Sequence, residues 1–261
     1  MSEQGISGPR LHYRSPQDGL AAPADYPDAP ISLVLERSTA GADLFGVAVA
    51  IGGDIPLHYH SMMEFQYVVS GNGLALNADG AEIPISAGGT VISPAGPAGA
   101  HGFRNLGRLP LTLLCLYPSP GGATPDRSPF DPRTDPGQGP RTTYRSPHEL
   151  RPTRTDDATR VARILDDSDP GAELHAFATA VESATVRHHH SVFELQYVVT
   201  GVGVVTDADG RETEIGPGGV VACPAGPSGA HAFRPSGSMP LQLLCVSPSP
   251  MGTAPDTVLD E

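Results

Sequence analysis

The sequence predicts an all-β protein made of two tandem units packed as a pseudo-symmetric pair, and three observations lead there. Glycine (31) and proline (28) together approach a quarter of the 261 residues, while aromatics are few and tryptophan is absent. Such a composition suits short strands joined by tight turns. Runs such as "EFQYVVSG" and "LTLLCL" alternate with a period near two and are bounded by turn residues, the pattern of half-buried strands. The chain also repeats itself. Shifted by 130 residues, "HYHSMMEFQYVVSGNGLALNADG" falls on "HHHSVFELQYVVTGVGVVTDADG", and 39 of the 69 positions between 58–126 and 188–256 are identical. That level of identity marks a duplication.

Taken in order, "MSEQGISGPR" lacks the basic start and apolar run of a signal peptide, and no apolar stretch approaches the eighteen or so residues that span a bilayer. The expectation is a cytoplasmic protein without a membrane partner. "YRSPQDG" at 13 is echoed by "YRSPHEL" at 144, so each unit is expected to open near these tyrosines. The units are then 1–126 and 144–261, joined by a linker, 127–143. Its stretch "RSPFDPRTDPGQGPR" is rich in proline, glycine and charge and reads as an extended segment running over the outside. Within the units, "ADG" at 78–80 and 208–210 carries the Asp-Gly signature of a tight hairpin. Cys115 and Cys245, in "LTLLC" and "LQLLC", read as buried free thiols on strands.

The chemistry lies in "HYHSMMEFQ". Residues two apart on a strand share a face, so His58 and His60 point the same way, and Glu64, Gln66 and Val68 form a second row. His101 follows in "GAHGFRN", and the second unit repeats all four titratable residues as His188, His190, Glu194 and His231, each at an offset of 130. Three imidazoles and a carboxylate are a ligand set for a divalent transition metal, iron, manganese, nickel, copper or zinc, with up to two ions per chain. Six of the ten histidines occupy the three repeated positions, where neutral drift would not hold them beside a kept carboxylate. Gln66 and Gln196, two residues past the glutamates, are expected near the open coordination positions.

Sixteen basic against 29 acidic residues leave a formal charge of −13, which argues against nucleic acid as a partner. A small-molecule substrate is expected instead, with the chain a monomer or homodimer.

Gly52, His58, His60, Glu64 and Gly71 match the first cupin motif, and Gly88, Pro94, Gly96, His101 and Asn105 resemble the second. The chain thus resembles a bicupin, which implies two tandem jelly-roll β-barrels, each holding a metal by three histidines and a glutamate near one end. There are departures from the pattern. Four residues rather than two separate Gly96 from His101 and Gly226 from His231, Glu182 stands in place of Gly52, and Pro235 in place of Asn105.

Four protein ligands on an octahedral ion leave two positions open. Face parity lines the surroundings with Val68, Phe103 and Met62 in the first unit and Val198, Phe233 and Val192 in the second. No inward arginine is evident at a spacing fit to clamp a small dicarboxylate, which argues against an activity like that of oxalate decarboxylases. The expectation is a metal-dependent oxidoreductase, a dioxygenase acting on a small apolar or aromatic substrate that chelates through oxygens, with Glu64, Gln66, Glu194 and Gln196 as catalytic candidates. The alternatives are a redox-neutral cyclase, isomerase or lyase, resembling cupin-type polyketide cyclases, and a non-catalytic metal- or ligand-binding module.

Overall fold

The computed structural model describes residues 8–16, 31–35, 39, 41–135, 138–156, 158–249 and 256–259. Their regular structure is short strands, interrupted only by one-turn 3-10 segments. None of the described helical segments is long and apolar enough to cross a membrane.

The first unit has two antiparallel sheets. One holds Leu44–Ile51, Leu111–Pro118, Glu64–Ser70 and Thr90–Ser93, with Ile31–Leu35 at one edge; the other is built around Asp54–Tyr59, His101–Asn105, Asn72–Asn77 and Glu82–Ser86. The second unit repeats the larger sheet with Leu174–Val181, Leu241–Pro248, Glu194–Thr200 and Val220–Cys223, flanked by Thr159–Leu165. Gly203–Thr206, Ala232–Pro235 and Glu212–Ile215 form its smaller partner sheet.

Alternation along the shared strands explains the assembly. In Glu64–Ser70, Val68 packs in the core of the first unit with Phe103, Leu113 and Cys115. Phe65 and Tyr67, on the other face, enter a cluster with Leu195, Tyr197, Val220, Leu244 and Val246 of the second unit. Val198, Val205, Phe233, Leu243 and Cys245 form the second unit's own core. The described residues therefore form three apolar clusters, one inside each unit and one between them, as a period of two requires when both faces of a strand are covered. At the middle of the interface the Tyr67 and Tyr197 rings lie 6.2 Å apart.

The opening strands of the two units trade places. His12–Arg14 pairs with Val220, Val221 and Ala222 of the second unit, and Thr143–Arg145 pairs with Thr90, Val91 and Ile92 of the first. Each tyrosine of the "YRSP" echo lies over a glycine of the opposite unit, Tyr13 on Gly219 and Tyr144 on Gly89, where a Cβ would collide with the ring. The stretch read as an outer linker is anchored as well. Ser128–Pro129 pairs with Tyr59 and His58, and Thr142 is buried, donating to Gly99 O at 3.0 Å. Proline and glycine at these ends do not prevent pairing, because an edge needs only a few backbone partners.

Candidate metal centres

His58 and His60 come from Asp54–Tyr59 and the turn after it, Glu64 opens the next strand, and His101 begins His101–Asn105. His58 and His101 are register partners. The four side chains are buried, and one ligand atom from each lies within 4.8 Å of the others. In the second unit His188, His190 and His231 meet the same limit. Glu194 reaches His190 at 3.2 Å and His231 at 3.4 Å.

Each imidazole is oriented by a backbone carbonyl. Nδ1–H of His58 donates to Pro56 O (2.9 Å), that of His101 to Gly99 O (3.0 Å), and that of His60 to Asp126 O. The second unit repeats the pattern with His188 to Val186 O (2.9 Å), His231 to Gly229 O (3.0 Å) and His190 to Asp256 O (2.6 Å). A carbonyl can only accept, so Nδ1 carries the proton and Nε2 presents a lone pair. Nε2 of His60 and of His101 then faces Glu64 Oε2 at 3.0 and 2.8 Å. His60 Nε2 and Glu64 Oε2 are buried without a hydrogen-bond partner. Converging lone pairs and a carboxylate, their tautomers already set, fit a divalent cation.

Burial disfavours charge on His60, but the Glu64 carboxylate beside it raises it above its ordinary value. Burial would raise Glu64, yet His101 and His60 hold it well below the usual carboxylate range. His58 is pushed down to about 2 by burial and by His101, and His188 down to about 4 by burial and by His231. Burial also opposes charge on His190 and His231; Glu194 raises the first, and Cys223 with Glu194 raises the second.

The two extra residues before the last ligand build the 3-10 turn Pro97–Gly99, and Pro227–Gly229 in the second unit. This turn supplies the carbonyl that orients His101, and Gly96 N–H ties it to His60 O at 2.8 Å. Gly96 sits at φ 81°, open to glycine at little cost. The departure in motif spacing is thus part of the ligand-holding device. Asn105 donates to Gly52 O at 3.4 Å; where the second unit has Pro235 and Glu182, Glu182 instead pairs with Arg160 at 2.7 Å.

A cavity of about 380 Å³ opens onto His58, His60 and Glu64, walled mainly by Phe45, Val47, Val49, Phe103, Leu113 and Tyr117. Phe103 lines it as face parity expects. Val68 does not, because it lies deeper along its strand and packs in the core. Gln66 is also outside the wall. It lies beneath the cluster, 3.2 Å from His101 Nε2 and donating to Ser93 Oγ at 3.4 Å. Gln196 likewise lies 3.3 Å from His231 Nε2, donates to Glu194, and accepts from Cys223 Sγ at 3.4 Å. Cys115 lines the cavity as a free, buried thiol, pushed well above its ordinary value by burial and by Glu64, so it stays protonated.

Three features escape the sequence reading. Asp126 and Asp256 strap the clusters from the closing segment of each unit: their carbonyls hold His60 and His190, and their carboxylates accept from Ser61 N–H (2.9 Å) and Ser191 N–H (3.0 Å). Their identical place in the repeat is the signal that could have found them. The walls from Leu44–Ile51 carry no motif residue. Arg127, next to the strap, lines the first cavity, where sequence alone finds no inward arginine; its place follows from the pairing of Ser128–Pro129 with the ligand strand.

With this geometry in view, the comparisons decide the family. The cupin domain model matches residues 46–117 and 177–247. The chain belongs to the cupin family. No curated protein sequence matches it. Among solved structures, this cupin is similar to the formate complex of Lactobacillus farciminis oxalate decarboxylase, with 18% identity over 98% of this chain and 90% of that one and a TM-score of 0.71. It is similar to Bacillus subtilis oxalate decarboxylase, studied for its Mn(II) centres, with 15% identity, 98% and 80% coverage and a TM-score of 0.69. It is also similar to procruciferin, an 11S globulin of Brassica napus, with 13% identity, 97% and 86% coverage and a TM-score of 0.68. At such identities the likeness is one of fold. The cupin is a bicupin with two buried metal-binding groups suited to a divalent transition metal, up to two per chain.

Proposed function

We propose that this bicupin is a metal-dependent dioxygenase that acts, at its first centre, on a small apolar or aromatic substrate chelating through adjacent oxygens. The observation that carries the reading is the cavity of about 380 Å³ with apolar walls and a floor of His58, His60 and Glu64. That volume suits a one- or two-ring molecule. A bound iron, manganese, nickel or copper ion would supply redox chemistry and open positions for substrate oxygens and dioxygen. His58, His60, Glu64 and His101 hold it, with His188, His190, Glu194 and His231 as the second set. Glu64, its carboxyl kept ionised by His101 and His60, can accept the proton of an enol or phenol. Gln66, touching His101 from below, positions that imidazole. The walls of Phe45, Val47 and Phe103 exclude water.

A second reading is favoured by Arg127 at the same cavity. A guanidinium suits a substrate carboxylate, and a redox-neutral lyase, cyclase or isomerase would use the ion as a Lewis acid. The fold likeness to oxalate decarboxylases is compatible with it, and the likeness to an 11S globulin keeps a non-catalytic module in view. The test is to load the metal-free protein separately with iron, manganese, nickel, copper and zinc, and to follow oxygen uptake with enols, catechols and flavonols. Uptake with a redox-active metal supports the dioxygenase. Anaerobic turnover with zinc, and no uptake with any metal, replaces it with the redox-neutral enzyme.

A further inference from the structure

The second barrel keeps the metal-holding groups of the first and changes what stands beside them. In the first unit, Phe45 and Tyr117 are register partners with rings 6.1 Å apart, and the Tyr117 ring lies 5.1 Å from that of His60. An offset of 130 puts His175 and Ser247 at these positions, and they are register partners in the same two strands. Ser247 follows Val246, which pairs with Leu195, so it stands level with Glu194 at the cluster. Its neighbours in parity, Cys245 and Leu243, belong to the core of the second unit. His175 shares its face with Phe177, whose ring is 5.4 Å away and which packs on that core.

Ser247 is fully buried at 0% exposure, and both Ser247 Oγ and His175 Nδ1 are buried without a hydrogen-bond partner. One such orphan is costly in a folded chain. Two of them as register partners, beside a metal cluster, are a pair of groups waiting for a polar guest. Replacing tyrosine by serine also removes a ring's volume at this point.

We infer that His175 and Ser247 form a polar clamp at the second metal centre, which takes a small hydrophilic molecule chelating through adjacent oxygens, an α-hydroxycarbonyl or vicinal diol, so that the two centres select different ligands. The inference rests on the metal-centre reading of the second cluster. The clamp is uncharged: a serine hydroxyl and an imidazole that burial holds below its ordinary value. Each offers hydrogen bonds suited to a hydroxyl or carbonyl oxygen. The position equivalent to Arg127 is Thr257, while Arg187 stands where the first cavity has Leu57, so any cation at the second centre comes from a different place.

The test uses the full chain with His58→Ala and His60→Ala, which leaves the second cluster to be loaded with Co²⁺. The probes are glycolohydroxamate and propionohydroxamate, chelators of similar size that differ by a hydroxyl in place of a methyl. Binding is read from the cobalt visible absorption and by calorimetry. The expected result is about a tenfold preference for glycolohydroxamate, falling to near unity in Ser247→Ala and in His175→Phe with one cobalt still bound. The complementary chain, with His188→Ala and His190→Ala, is expected to prefer propionohydroxamate. Equal affinities in the parent, or a preference that survives both clamp substitutions, overturns the inference and leaves the orphans to buried water. Loss of cobalt in Ser247→Ala also overturns it, by making Ser247 part of the ion's support. A parent that takes up no cobalt overturns the metal-centre reading and the clamp with it, whereas cobalt uptake without preference overturns the clamp alone.

Discussion

The two barrels agree wherever an imidazole is held and differ at several of the positions that a ligand would touch, although Phe103, Leu113 and Cys115 are kept as Phe233, Leu243 and Cys245. Both keep the histidines, the glutamate beside them, the carbonyl that each Nδ1–H meets and the aspartate strap, Asp126 or Asp256. Around these, Phe45 becomes His175, Val49 becomes Thr179, Tyr117 becomes Ser247, Ser93 becomes Cys223 and Arg127 becomes Thr257. Holding an ion and choosing its guest are therefore separable tasks in this fold. The first depends on a few backbone carbonyls, and the second on side chains in strands that carry no motif.

The largest expected effect comes from breaking the pair itself. Residues 1–141 expressed alone lack Thr143–Arg145 and expose Phe65, Leu114 and Leu116; residues 142–261 lack His12–Arg14 and expose Phe193, Leu195 and Val246. At about 1.5–3 kcal/mol per large buried side chain, these losses rival the whole net stability of a domain, roughly 5–15 kcal/mol. Neither half should show a cooperative thermal transition, while the two co-expressed should. A soluble, monomeric half that unfolds cooperatively would show that the units are independent.

Next come the ligands and their straps. His60→Ala should remove one metal ion per chain and His190→Ala the other, each leaving its counterpart in place, as read by elemental analysis. Asp126→Ala and Asp256→Ala keep the carbonyl that orients the imidazole and lose only the carboxylate that pins its segment to Ser61 or Ser191, so they should weaken metal at their own site by about tenfold, the low end of the usual effect of losing a supporting group. If Asp126→Ala empties both sites alike, the barrels are coupled and the comparison fails.

Acid should separate the centres more gently. Metal must compete with protons for the imidazoles of each cluster. At the first cluster His60 is raised above its ordinary value; at the second both His190 and His231 are raised. Each displaced proton makes affinity fall about tenfold per pH unit below the raised value. The second centre should lose metal first, and more steeply, as pH falls. Metal content followed by equilibrium dialysis in the two single-site variants checks the order.

The ligand sets, the duplication and the β class were legible because each rests on local spacing: two histidines one residue apart, a glutamate four on, an offset of 130. The strand exchange was not, because "YRSP" announces a strand and not its partner, and both units offer the ring the same seat, Gly89 or Gly219. Phe45 and Tyr117 were invisible for a related reason. They line the cavity at His60 through long-range pairing of strands that look in sequence like any other apolar alternation. Cys223, in "VVAC", gave no sign that it would reach Gln196.

The smallest effect concerns the mouth of the first cavity. Arg127 lines it from an exposed segment, so its charge is partly screened and contributes modestly. If the first centre takes a substrate with a carboxylate, Arg127→Ala should raise KM about three- to tenfold, leave kcat within about twofold, and lose that effect at high salt, because a screened charge steers encounter more than it stabilises the reacting state. For an uncharged aromatic substrate KM should not move. The converse substitution, Thr257→Arg, places the same charge after the second strap, where Val258–Leu259 pairs with His188–His189 as Ser128–Pro129 pairs with His58 and Tyr59. It should make binding of an anionic chelator at the second centre salt-dependent without altering its metal content. A salt-insensitive KM in the parent, together with no change in Arg127→Ala, would confine the difference between the barrels to Phe45, Tyr117 and their counterparts.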